Sequence, residues 1–175
     1  MVRYAHFQLM AAVEAGIATV AVAPVVLGVR GLPHAEGDDW VLLLYLVGMS
    51  AFSGLMAGMT GMRWLGGEKG SYDSAVPVAD PKTVLPTRRQ SLRRSFDGGF
   101  VVMSGLSCLF MGLIWSSWGI LFACVFFAPE RVGKGVSVLL WERRHGLLLW
   151  RGRLDEQPLE KWRSLYSSPR AAVPG

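Results

Sequence analysis

One carboxylate stands where carboxylates are rare. Glu14 is the only charged residue between Tyr4 and Val29. An ionisable group at that depth in an apolar segment is by default a functional-site candidate. It shares a helical face with Ala11, Ala18 and Ala21, which is a small, packable face. One reading is an intramembrane proton or ion group. The other, which carries more weight, is a carboxyl hydrogen-bonded to a neighbouring helix. A relay needs a series of polar groups across the membrane, and the later apolar blocks offer only hydroxyls, Cys108 and Cys124.

The remaining reactive residue types form no catalytic set. Cys108 and Cys124 lie 16 residues apart. On a single helix that is about 24 Å of rise, too far for a disulfide. His6, His34 and His145 fall at or beyond the edges of the apolar blocks, which argues against a haem pair inside a bilayer. Asp73 and Asp80 share a loop without supporting partners. No phosphate-binding loop, HExxH, CxxC or G-x-S-x-G is present in the sequence. No catalytic residue, cofactor or metal ligand is expected, so the chain reads as a non-enzyme.

The elements that would hold these residues are apolar. Charged residues make up 18% of the 175 residues, below the roughly 25% of soluble domains. They are excluded from long blocks: Trp40–Met62 and Gly98–Pro129 contain none. A bilayer core needs about 20 apolar helical residues, and a helix satisfies its own backbone in lipid. The expectation is an all-α integral membrane protein with about three transmembrane helices, near 7–29, 40–62 and 99–128. A Pro-containing loop, 63–97, joins the last two, which gives a transmembrane domain over 1–129. A basic amphipathic tail, interfacial or soluble, follows over 130–175. The first block is not read as a cleaved leader, because Pro24 would follow Ala23 at the cut. Pro24 itself predicts a packing kink.

Basic residues do not orient three spans cleanly. With three crossings, the N-terminal side carries eight Lys/Arg and the other side ten, a weak positive-inside signal. A hairpin turning at Ser116–Gly119 would gather nearly all of them on one side. Each arm would then have only about 14 uncharged residues, or about 21 Å, so one long tilted span is favoured. In the tail, Leu140, Leu147 and Leu154 recur at a heptad interval beside Trp150 and several arginines. That predicts a helix in the membrane interface. A β-hairpin turning at His145-Gly146 competes with it, and Leu159–Tyr166 reads as a short soluble helix.

Small residues line two of the blocks. Ser50, Gly54, Gly58 and the nearby Gly61 mark one helix face, and Ser104, Cys108 and Gly112 another. Such stripes let helices approach closely where lipid gives no hydrophobic drive. Arg88, Arg89, Arg93 and Arg94 precede the last block, and Arg143 and Arg144 follow it. Beside a membrane span, such clusters suit anionic phospholipid headgroups better than nucleic acid. The whole profile resembles the small accessory subunits of energy-transducing membrane complexes. That resemblance implies a structural role among other membrane subunits. It favours the respiratory chain of the mitochondrial inner membrane, with a bacterial cytoplasmic membrane as the other setting. A small transporter or channel subunit acting through Glu14 is the rival.

Overall fold

A computed structural model describes residues 1–32, 39–59, 69–79, 81, 85–152 and 165–170. The chain is predominantly helical and contains a small sheet. In order come strand β1 (Val2–Arg3) and helices α1 (Tyr4–Arg30), α2 (Asp39–Met59) and α3 (Lys69–Asp73). Strand β2 (Val76–Pro77) and helices α4 (Arg88–Ser95), α5 (Gly98–Ile114) and α6 (Phe122–His145) follow, then β3 (Leu147–Arg151) and β4 (Leu165–Pro169). Of these, α1 alone is long and apolar enough to cross a membrane by itself. Helices α4 and α5 pass the same test only as a pair, and Leu44–Ala57 of α2 is a shorter apolar stretch. The chain divides into two compact units. The sheet unit comprises Met1–Met10, Gly58–Phe96 and Lys134–Gly175, and the bundle unit comprises Ala11–Ala57 and Asp97–Gly133. Neither follows the sequence boundary at residue 129.

Within the bundle unit, the expected single span over 99–128 is two helices. Helix α5 ends when Trp115 N–H bonds back to Met111. Ser116 then caps a 3-10 turn over Ser117–Leu121 by accepting the Trp118 N–H. Gly119 makes the reversal possible, because a Cβ there would lie 2.4 Å from the Met111 backbone. The returning α6 packs against α5, with Ile120 near Gly112, Ala123 N–H on the Cys108 sulfur, and the Phe127 ring 5.8 Å from Phe100. Helix α1 runs parallel to α5, from Glu14 beside Asp97 to Arg30 beside Leu113. Helix α2 brings Gly54 against Pro129 of α6. The result is four helices in up-down order.

The sheet unit departs from the all-α expectation. Its sheet runs β1-β3-β4-β2, with β2 parallel to β4 and the other pairs antiparallel. Leu149 lies opposite Ser167, and Val2 opposite Arg151. The run Leu147–Trp150, expected in an interfacial helix, is therefore a strand. Its period-two pattern serves two packed faces. Leu149 joins Tyr4, Tyr72, Val138 and Trp141, while Leu148 and Trp150 join Val78, Leu85 and Tyr166. A strand covered on both sides reads as a continuous apolar run, which hides its alternation. His145-Gly146 is no hairpin turn. It is the end of α6, where Gly146 takes φ +66° and Arg143, Arg144 and His145 fill the last turn, as a helix C-terminus favours. Leu165 and Tyr166 are likewise strand and not helix; residues 159–164 lie outside the described ones.

Candidate functional site

Glu14 sits in the interior of the bundle unit, fully buried. Its Oε1 accepts the backbone N–H of Asp97 at 2.7 Å. Its Oε2 meets no hydrogen-bond partner among the described residues. Asp97 is the N-cap of α5 and accepts the N–H groups of Gly99 (3.0 Å) and Phe100 (3.3 Å) through Oδ1. The Arg131 guanidinium of α6 stands over the Phe100 ring at 5.7 Å. Two carboxyl groups and one guanidinium thus gather at the start of α5.

Deeper in the same unit the polar groups are small. The Thr19 hydroxyl donates to the Ala15 carbonyl at 3.0 Å, and lies 3.2 Å from the Cys124 sulfur and 3.9 Å from that of Cys108. The two cysteines, expected far apart on one helix, are brought to one threonine by the α5–α6 hairpin, and both are free thiols. Ser104 is buried, and its hydroxyl has no partner among the described residues. Gly112 lets α1 approach, since a Cβ there would fall 2.8 Å from Val26. A Cβ on Gly54 would meet Pro129 at 3.2 Å. Ser50 is half-buried on α2; Gly58 belongs to α2, and Gly61 lies outside the described residues. At the opposite end of the bundle, the Arg30 guanidinium donates to the Leu113 and Ile114 carbonyls that close α5. A cavity of about 270 Å³ opens there, lined by apolar and aromatic side chains that include Tyr45, Trp115, Trp118 and Phe126.

No protein-family model, curated protein or solved structure matches the chain. Its function must therefore be read from its own geometry.

The sheet unit holds a polar centre with no sequence signal. Arg3 donates to Glu142 through Nη2 (2.5 Å) and Nε (3.3 Å) in a largely buried ion pair. Glu142 Oε1 also accepts the Leu149 N–H at 3.0 Å, which ties α6 to β3. The Ser91 hydroxyl accepts the Arg3 N–H at 2.9 Å and lies 3.3 Å from His6 Nδ1. Ser91 is fully buried, and His6 Nε2 lies 3.4 Å from the Arg3 guanidinium. The cluster fastens β1, α4, α6 and β3 together. Its long sequence separations are why spacing alone could not find it. Around it, Arg89, Arg93 and Arg94 of α4 and Arg143 and Arg144 of α6 are exposed; Arg88 occupies the first position of α4. Among the described residues, no three His, Cys, Asp or Glu side chains form a metal-binding group.

Proposed function

We propose that this protein is a membrane subunit without chemistry of its own. Its bundle unit would lie in the bilayer, and its basic sheet unit would serve anionic lipid headgroups and neighbouring subunits of a larger complex. One observation carries this reading. Apart from Phe96, Val136 and Leu140, every large apolar side chain that is exposed among the described residues belongs to the bundle unit. Val20, Val29, Leu44, Leu55, Met103 and Ile114 are each more than 60% exposed. The bundle's interior is instead rich in small residues, Ala15, Ala18, Thr19, Ser104, Cys108, Gly112 and Ala123, beside Glu14 and Val26. An apolar exterior on that scale would make a soluble protein aggregate, whereas in lipid it is the required solvent-facing surface. Small interior residues are what membrane helices pack with.

The up-down order also supports an orientation. All four places where the chain leaves the bundle lie at the end marked by Asp97 and Arg131. Every Lys and Arg except Arg30 falls in those outgoing segments or at that end. Four crossings would remove the conflict that three create, and by the positive-inside rule that end would then face the cytoplasmic or matrix side. Tyr45 and Trp115, both exposed, then suit the opposite headgroup layer. The complex would be an energy-transducing one, of the respiratory chain in the mitochondrial inner membrane or its bacterial counterpart.

Alkaline extraction of membranes, then native electrophoresis in mild detergent with mass spectrometry of the band, tests both halves of the proposal. Retention in the membrane and migration with a defined set of other subunits is the expected result. Release by alkali would remove the membrane role. Migration alone or as a small homo-oligomer would remove the subunit role.

A further inference from the structure

Glu14 is fully buried in the bundle interior, where burial opposes the charged form of a carboxyl. An anionic carboxylate offers about four lone-pair sites, and each N–H bonded to it favours the charged form. Among the described residues, Glu14 has one hydrogen-bond donor, the Asp97 N–H on Oε1. The start of α5 would favour an anion, but Asp97 already answers it by taking the Gly99 and Phe100 N–H groups. The charged groups around Glu14 are few. From α5 it faces Asp97, whose negative charge opposes a second one. From α6 it faces Arg131, which sits over the Phe100 ring. Neither the rest of α1 before Arg30 nor α2 after Asp39 contributes a charged residue.

We propose that Glu14 is a proton-binding site of the bundle, carrying a proton on Oε2 at neutral pH while Oε1 accepts the Asp97 N–H. The inference rests on burial and on the missing second partner, and so it stands apart from the bundle's place in a bilayer. A protonated carboxyl is neutral and still accepts on Oε1. It also keeps a donor in the interior, where the buried Ser104 hydroxyl is another polar group without a described partner. The ligand of this site is the hydrogen ion itself.

The test is infrared spectroscopy of the purified full chain in lipid nanodiscs, comparing it with Glu14→Gln. The amide keeps the shape of the side chain and its acceptor for Asp97. The expected result is a protonated-carboxyl carbonyl band at neutral pH that disappears in E14Q, with the two proteins melting alike. A difference spectrum containing only carboxylate bands would overturn the proposal. Should E14Q not accumulate, the unaltered chain decides. An adduct of a hydrophobic carbodiimide, a reagent that needs the protonated acid, mapped to Glu14 and fading as the pH is raised supports the site. An unmodified Glu14 peptide from a sample lacking the protonated-carboxyl band overturns it. Both readouts are independent of complex membership, so their failure is distinguishable from failure of the subunit reading.

Discussion

The two units are packed by opposite rules. The sheet unit buries its large side chains: Trp141, Trp150, Tyr4, Tyr72 and Tyr166 fill its two clusters, while Arg89, Arg93, Arg94, Arg143 and Arg144 stand outside. The bundle unit buries mostly alanine, glycine, serine and cysteine, with Val26 beside them and Phe100, Phe122 and Phe127 packed on that core, and it turns many valine and leucine side chains outward. Water rewards the first arrangement by removing apolar area. It cannot reward the second, whose small interior has little apolar area to hide. The two units thus differ in what they turn outward, which is the contrast that the proposed membrane role rests on.

The largest expected effect falls on the sheet unit's polar centre. Glu142→Ala leaves Arg3 facing a largely buried site and frees the Leu149 N–H. Removing one partner of a buried pair costs about 3–5 kcal/mol, so the unit should melt far below the parent in a thermal scan, while the bundle's helicity persists. A bundle that melts with it would show that the two units are not separate in stability.

The next effect separates the two exteriors. Val20→Asp places a charge on the bundle's outer face, where Val20 is 73% exposed. In a bilayer this costs about 3 kcal/mol; in water a surface change costs within about 0.5 kcal/mol. The inserted fraction that resists alkaline extraction should fall sharply. No loss would place that face in water.

Close packing comes third. Gly112→Ala sets a methyl against Val26 at 2.8 Å, and overpacking of this kind costs about 1–3 kcal/mol. The variant should lose thermal stability in detergent, and adding Val26→Ala should restore part of it. If the double variant is no better than the single one, the α1–α5 approach is not as described.

The smallest effects belong to the basic surface. Arg89→Gln, Arg93→Gln and Arg94→Gln should each weaken binding of the chain to anionic over neutral vesicles by about 1 kcal/mol, with the difference fading as salt rises. Equal binding to both vesicle types would remove lipid from the account of this face.

How much of this could be read from the sequence differs between the units. The apolar blocks foretold α1 and α2, and Glu14 was singled out because charge is rare there. The reversal at Ser116–Gly119 was visible as an alternative. The length argument against it counts only uncharged residues. Helix α6 instead runs through Glu130, Arg131 and Lys134 without a break. The reversal also brings Cys124 and Cys108 to one threonine, which a single helix would keep apart. The sheet unit was nearly illegible. Its strands are short, β1 comes from the extreme N-terminus, and β3 has both faces covered, so its alternation does not show as polar and apolar. The Arg3–Glu142 pair joins residues 139 positions apart, and nothing local marks such a contact.

The most direct test of the central claim is a map of which ends face which side. Single cysteines would replace Leu32, Arg93 and Arg144 in a chain whose own Cys108 and Cys124 are changed to Ala. A membrane-impermeant maleimide would then be applied to sealed right-side-out membranes before and after permeabilisation. The account predicts that position 32 labels at once, while 93 and 144 label only after permeabilisation. Labelling of 32 and 93 from the same side, or of 93 and 144 from opposite sides, would contradict a four-helix bundle that sends its basic segments to one side of a membrane.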